Sequence, residues 1–168
     1  ENCVFIDCGT DNIGAAIRVS GSPLTVTSTT IFRSRGAGLH YATQAPNISQ
    51  SMIIGGDGLA ISRNNIADPV PIIHCTNIWD NGGNWTDFLA GQAHTNDNIS
   101  VDPLFCNPLF GDLSLYSTST CAPDVNPTCG LIGARPVVCG LGASTYVIQP
   151  DGSGDFPTIQ AAINIAAN

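Results

Sequence analysis

The sequence contains no lysine, and its charge is strongly one-sided. Five arginines stand against 13 acidic residues among 168 positions, which gives a formal net charge of -8. A nucleic-acid-binding protein needs clustered cations to neutralise phosphates, so this composition argues against a nucleic-acid partner. The same deficit argues against adsorption to an anionic membrane surface. Neutral or cationic partners, and anions bridged by calcium, remain compatible with this charge.

Long apolar runs are also missing. No stretch reaches the roughly 20 apolar residues that a membrane-spanning helix needs, so no membrane insertion is expected. Apolar residues nevertheless make up 43% of the chain, which is enough to fill a core, and only 11% of residues are charged. Uncharged polar residues, glycine and proline fill the remaining positions, as is typical of turn-rich β proteins.

A loose period of about 22 residues runs through the first half of the chain, which is within the range of known repeat architectures. One strand pattern recurs in residues 2–5, 30–32, 52–54 and 77–79. This alignment predicts that Phe5, Phe32 and Ile54 stack in one column. A second strand pattern recurs beside it, in residues 17–19, 39–41 and 59–61.

This repeat predicts the fold class. Short strands at such a period, with no helical pattern between them, indicate an all-β, right-handed parallel β-helix. One coil cannot bury its own apolar face, so neighbouring coils must stack and share a core. The expected solenoid has a loop-rich, disulfide-stabilised end and one short C-terminal helix.

The chain divides into three parts. Residues 1–80 carry the coils, and residues 81–140 lose the period while proline, glycine and cysteine become frequent. This second part is expected to form a last coil and a cap, in which Leu104 and Phe105 plug the open end of the core. Residues 141–168 read as a strand, a turn and a helix with one apolar stripe. The stripe consists of Ile159, Ala162, Ile163 and Ala166.

Seven cysteines are a high number for this length. They form no C-x-x-C metal pattern, and most of them cluster in the second half, which indicates disulfides. Disulfides predict an oxidising compartment and therefore an extracellular or cell-surface location. The disulfide candidates are Cys106, Cys121, Cys129 and Cys139. The favoured pairings are Cys121 with Cys129, or Cys106 with Cys121, although sequence alone leaves the connectivity open.

One turn near the end of the repeat carries candidate binding residues. Asp80, Asn84 and Asp87 offer the hard oxygen ligands that suit calcium, the single cofactor that the sequence suggests. Trp79 and Trp85 flank the same turn and could stack on sugar rings. Trp79 occupies a strand position that elsewhere holds Phe or Ile, which favours core packing. Trp85 is therefore the better candidate for a surface that binds carbohydrate.

The sequence contains no convincing catalytic constellation. His40 is expected to point outward from its strand. His74 precedes Cys75, but adjacent strand residues point to opposite faces, so these two side chains should not form a nucleophile–base pair. Asp151 and Asp155 lie in a turn before the predicted helix, where capping is the expected role.

Two motifs resemble parts of known β-helix proteins. Residues 98–134 contain N-I-S-x-D-P-L-F, then G-D-x-x-L, then C-A-P and C-G-L-I-G-A. This series resembles the C-terminal end of secreted bacterial right-handed β-helix repeat proteins of the pectin-lyase-like superfamily. Residues 151–163, D-G-S-G-D-F-x-T-I-Q-x-A-I, resemble the N-terminal cap of β-helix proteins, including pectin methylesterases. The resemblance implies the fold but transfers no catalytic residue, because the coils that carry the esterase residues are absent.

Three functional hypotheses follow. The first is a non-catalytic extracellular or cell-surface module with a structural, adhesive or carbohydrate-binding role and a polysaccharide or cell-surface partner. The second is a fragment of a polysaccharide-active enzyme (a lyase, a glycoside hydrolase or a pectin esterase) whose catalytic coils are absent. The third is a subunit of an extracellular fibre that self-associates through the solenoid ends, since an end-cap pattern precedes a start-cap pattern. The lack of a charged cluster on one long face favours the first.

Overall fold

The computed structural model describes residues 1–9, 14–140, 148 and 158–160. Within them, three parallel sheets wrap around a common interior, so the predicted parallel β-solenoid is confirmed. Sheet A contains β1 (Val4–Ile6), β4 (Thr30–Phe32), β7 (Met52–Ile54) and β10 (Asn77–Trp79). Sheet B contains β2 (Ala15–Ser20), β5 (Ala37–Ala42) and β8 (Ile61–Arg63). Sheet C contains β3 (Thr25–Thr27), β6 (Asn47–Ser49) and β9 (Ile72–His74).

The rest of the described chain forms a short helix and an arm. A 3-10 helix, η1 (Asp87–Gln92), follows β10. The arm, residues 101–140, contains β11 (Phe105–Asn107), the 3-10 helix η2 (Pro108–Phe110), β12 (Asp112–Tyr116) and β13 (Val137–Cys139). β12 pairs antiparallel with β11 and parallel with β13. No helix in the described part of the chain is long and apolar enough to cross a membrane.

The register of sheet A corrects one predicted column. Phe5 stacks on Ile31 and Ile53, whereas Phe32 stacks on Ile6 and Ile54. The sequence alignment had therefore placed Phe5 one position out of register with the later strands. A slip of one residue moves a side chain to the opposite face of a strand. Phe5 consequently packs with the solenoid interior, and Phe32 does not.

The second predicted strand is also shifted in its last copy. β8 begins at Ile61 and pairs Ile61 with Leu39, whereas the sequence pattern aligned Leu59 with Leu39. Leu59 lies before the strand and is 45% exposed. The misalignment arises because Leu59 and Ile61 are both apolar and stand at alternate positions, which is the spacing of one strand face.

Sheet A is buried on both of its faces. Its central residues belong to the interior core, together with Leu39, Tyr41, Ile48, Ile61 and Ile73. Its flanking residues form an outer core with the arm. The buried members of this outer core are Phe32, Met52, Ile54, Cys75, Leu113, Leu115, Cys121, Cys129 and Ile132. The arm therefore lies along the outer face of the solenoid.

This placement corrects the predicted cap. Leu104 and Phe105 do not plug the end of the interior core. The ring of Phe105 meets that of Phe32 edge-on, with centroids 5.5 Å apart, and Leu104 is 40% exposed. The arm lies here because β4, β7 and β10 present large apolar side chains outward, which need cover.

η1 covers the end of the interior core instead. Leu89 is 1% exposed and belongs to the interior core. The side chain of Gln92 accepts a hydrogen bond from Ile73 N and donates one to the oxygen of Pro71. Asn98 donates to the oxygen of Ile73 at 2.9 Å. These amides satisfy backbone groups of β9, which pairs with only β6 among the described strands.

One disulfide anchors the arm to the coils, and a second closes a loop within the arm. Cys75, just after β9, bonds to Cys129, and Cys106 bonds to Cys139. Both favoured pairings of Cys121 are therefore wrong. Cys121 is fully buried, and Asn77 Nδ2 donates to its sulfur at 3.3 Å. Burial raises the pKa of the Cys121 thiol to about 11, so it stays protonated and unreactive.

The predicted C-terminal helix falls mainly outside the described residues. Ile159 and Gln160 are helical. Ala162, Ile163 and Ala166 of the predicted apolar stripe lie outside the described residues, as do Asp151 and Asp155.

Candidate functional site: an aromatic cavity between sheet A and the arm

A cavity of about 290 Å³ opens where the arm crosses the outer face of sheet A. We refer to it as the aromatic cavity, because four aromatic residues are among those that line it, together with two aspartates. They are Phe32, Trp79, Phe105, Tyr116, Asp80 and Asp102. The volume lies near the lower end of the ~300–1,000 Å³ typical of small-molecule pockets.

Sheet A supplies the floor of the cavity. Phe32, Ile54 and Trp79 are the last residues of β4, β7 and β10, and the ladder places them side by side in register. Because the interior takes the middle residue of each strand, these last residues face outward. Asp80 follows Trp79 with a positive φ of 55°, which turns the chain at the cavity rim.

The arm supplies the opposite wall. The turn at Asp102 is fixed by a 2.9 Å hydrogen bond from the backbone N–H of Leu104 to Asp102 Oδ1. Ser119 Oγ donates to the oxygen of Pro103 at 2.6 Å, and this pair is buried. Tyr116, at the end of β12, donates its backbone N–H to the oxygen of Leu104. These bonds hold Phe105 and Tyr116 against the sheet.

The charge of the cavity has one sign. Asp80 and Asp102 are both exposed, and they are the charged residues among those that line it. The nearby cation is Arg33, whose guanidinium carbon lies 4.9 Å from the centre of the Phe32 ring. Arg33 is already paired with Asp7, with Nη2 and Oδ2 2.8 Å apart. The cavity therefore combines apolar ring surface with uncompensated negative charge.

The two tryptophans have exchanged their predicted environments. Trp85 is half-buried and packs against the interior core, where its Nε1 is buried with no hydrogen-bond partner in the described chain. Trp79 is half-buried against the outer core and lines the cavity. Trp79 is thus the tryptophan placed to meet a ligand.

The three predicted calcium ligands have different surroundings. The Oδ1 atom of Asn84 accepts hydrogen bonds from the backbone N–H and the side-chain amide of Asn81, at 2.9 and 3.0 Å. Asn84 therefore stabilises the turn. Asp80 lies at the cavity, and Asp87 begins η1. Calcium binding by this set stays a prediction.

A geometric cluster elsewhere does not form a metal site. The ligand atoms of Cys75, Asp97 and Cys129 lie within 4.8 Å of one another. Both cysteines are consumed by their mutual disulfide, so neither offers a thiolate. The same bond excludes Cys75 as a nucleophile beside His74.

Sheet B carries a polar row that sequence reasoning missed. Arg18, His40 and Ser62 stack in register on β2, β5 and β8, at equal steps along the sequence. His40 Nδ1 and Ser62 Oγ are 2.9 Å apart, beside a groove of about 270 Å³. Aligning the three strands of sheet B at one constant step brings these three residues together. The sequence pattern aligns Leu59 with Leu39, so it places Ser62 outside the third strand.

His40 should make stability depend on pH. Burial, followed by the charge of Arg18, lowers the pKa of His40 below its ordinary value of 6.5, while Asp68 opposes this shift. The unfolded chain therefore binds more protons than the folded chain as the pH falls below about 6.5. The contribution of neutral His40 to the free energy of unfolding is fully present above that pH and is lost as the pH falls towards the folded-state pKa of His40. Melting temperatures between pH 7.5 and 5 should fall less steeply in a His40→Gln variant than in the parent; parallel curves would contradict this.

Comparisons of the chain with protein-family models, with curated proteins and with solved structures give no match. The parallel solenoid therefore stands on the geometry alone. The function has to be argued from the sites described above, and the aromatic cavity is the one that combines several aromatic rings with polar groups.

Proposed function

We propose that this chain is a non-catalytic, extracellular carbohydrate-binding module and that the aromatic cavity is its binding site. The observation that carries the proposal is the position of Trp79 and Tyr116, which line a cavity of about 290 Å³ with Asp80 and Asp102. The two disulfides support the extracellular location, because such bonds persist in oxidising compartments.

The chemistry of the lining suits a sugar. A pyranose ring presents a face of C–H groups and an edge of hydroxyl groups. Aromatic rings offer an apolar surface for the face. Carboxylates accept hydrogen bonds from the hydroxyls, and bonds to a charged acceptor are stronger than neutral ones. A cavity of this volume accommodates one sugar ring.

The scaffold also suits binding. Trp79 and Phe32 stand at the ends of strands that pair along sheet A, and Tyr116 stands at the end of β12. Side chains that project from paired strands lose little further freedom when a ligand binds. Removing the Trp79 ring should therefore lower the affinity through the lost contact with the ligand, because the site is already ordered before the ligand binds.

The substitution Trp79→Ala should weaken saccharide binding at least about tenfold, since buried aromatic anchors dominate binding energy. Isothermal titration calorimetry with a panel of neutral, amino and acidic oligosaccharides measures the effect. Phe110→Ala is the matched control, because Phe110 is 86% exposed and does not line the cavity. Equal affinity in Trp79→Ala and the parent, or no saccharide binding by the parent, would overturn the proposal.

The same panel separates the module from the enzyme hypothesis. After prolonged incubation, a binding module leaves each oligosaccharide intact. New reducing ends, unsaturated products or released methanol would instead favour a polysaccharide-active enzyme.

A further inference from the structure

We infer that the aromatic cavity selects saccharides that carry a protonated amine, such as glucosamine oligomers, over neutral, N-acetylated or uronic-acid sugars. This inference rests on the proposed function and names the substrate class of that same site. It follows from the two aspartates and the aromatic rings that line the aromatic cavity.

The charged residues that line the cavity have one sign. They are Asp80 on the sheet side and Asp102 on the arm side, and both are exposed. A uronic acid would bring a third negative charge to a cavity lined by two aspartates, and like-charge juxtaposition disfavours a ligand. The net charge of -8 adds a weaker repulsion of polyanions at longer range.

Aromatic ring surface lies beside these charges. A cation over the face of Trp or Tyr is attracted by the ring quadrupole, and the attraction strengthens as water is excluded. Trp79 and Tyr116 line the same cavity as the two carboxylates. A glucosamine unit offers both features together, because its C–H face packs on a ring while its ammonium group meets a carboxylate. Acetylation removes the positive charge and so removes the ionic part of this recognition.

The surrounding cations do not cancel this preference. Arg33 lies over the ring of Phe32, but its guanidinium is bonded to Asp7 and does not line the cavity. Both members of that ion pair are partly exposed, so their field is screened by solvent. On sheet B, Arg18 lines a pocket beside Phe5 and His40 lines the groove beside Ser62, and neither residue lines the aromatic cavity.

The test compares three trimers that differ in charge: glucosamine, N-acetylglucosamine and galacturonic acid. Titration calorimetry near pH 6, below the ordinary pKa of an amine, keeps the glucosamine protonated. The glucosamine trimer should bind at least about tenfold more tightly than its N-acetylated form, and the galacturonate trimer should be the weakest. The double variant Asp80→Asn, Asp102→Asn should reduce the glucosamine preference to less than about threefold.

A matched control removes the same total charge elsewhere. Asp57 and Asp124 are exposed and do not line the cavity, so Asp57→Asn, Asp124→Asn should keep the preference of the parent. Equal loss in both double variants would attribute the preference to net charge and would overturn the inference. Equal binding of the amine and N-acetyl trimers, both dependent on Trp79, would overturn the inference and leave the proposed function intact. Absence of binding by all three trimers overturns the inference and, if the wider panel also fails, the proposed function.

Discussion

The double substitution Cys75→Ala, Cys129→Ala should lower the free energy of unfolding by about 4 kcal/mol, which is the loop-closure entropy of a disulfide of this span. The bonded cysteines are 54 residues apart in sequence, and their Cα atoms are 5.4 Å apart. Both residues are buried, and the bond joins the chain just after β9 to the arm. Loss of the disulfide lets the segment between the two cysteines sample more conformations in the unfolded state, and this gain in entropy favours unfolding.

The folded state should survive this substitution. Gln50 still donates from Nε2 to the oxygen of residue 129 at 2.9 Å, and Gly133 N still donates to the oxygen of Gln50 at 2.7 Å. Ile132 remains fully buried against sheet A. We therefore expect a lower midpoint of urea unfolding under non-reducing conditions, together with an unchanged circular dichroism spectrum.

Free cysteines elsewhere supply the control. Cys3 and Cys8, on either side of β1, form no disulfide in the structure. The variant Cys3→Ala, Cys8→Ala should lose at most about 1 kcal/mol, because Cys3 is exposed and Cys8 is half-buried. If the two double variants lose equal stability, or if neither loses any, the Cys75–Cys129 bond does not stabilise the fold by holding the arm to the coils.

The repeat made the solenoid predictable, but not its columns. Short strands at similar spacing were sufficient to identify sheets A and B. Successive strands of sheet A are nevertheless unequally spaced, because the turns between them differ in length: the step from Val4 to Thr30 is longer than the step from Thr30 to Met52. No single offset therefore aligns all the copies, and an error of one residue is enough to exchange inside for outside. Aligning Phe5 with Phe32 makes the first step one residue too long, because Phe5 stacks on Ile31.

The sequence of β7 indicates that another segment covers sheet A. In β7 all three residues, Met52, Ile53 and Ile54, are apolar and buried. A strand with one face in solvent alternates apolar and polar residues, whereas a continuous apolar run indicates burial on both faces. The run in β7 thus indicates that the outer face of sheet A is covered. It does not indicate which segment supplies the cover.

The aromatic cavity could not be derived from the sequence. Phe32 and Trp79 come from the coils, whereas Asp102 and Tyr116 come from the arm, and only docking of the arm brings them together. The Phe and Ile residues that share a column with Trp79 predict that Trp79 packs in a core. That column faces outward, so Trp79 packs against the outer core and lines the cavity floor.

The substitution Leu89→Ala should lower the free energy of unfolding by about 2–5 kcal/mol, the usual range for a buried leucine. Leu89 is 1% exposed and packs with the interior core at the end of the coils. Its neighbour Phe88 packs edge-on against Tyr41, with centroids 6.4 Å apart, so η1 has little freedom to collapse into the space left by the lost side chain. Gln92 ends the same helix, so truncation of Leu89 should also weaken the hydrogen bonds of Gln92 to Ile73 N and to the oxygen of Pro71.

Urea unfolding of Leu89→Ala beside Leu109→Ala isolates the covering role of η1. Both variants remove the same atoms from a 3-10 helix, but Leu109 is 81% exposed and should cost less than about 0.5 kcal/mol. Hydrogen exchange should speed up first at the amides of β9, because Gln92 binds the N–H of Ile73. If instead β9 stays protected while the amides of the arm exchange faster, η1 does not close the solenoid interior, and the end of the core is covered in some other way.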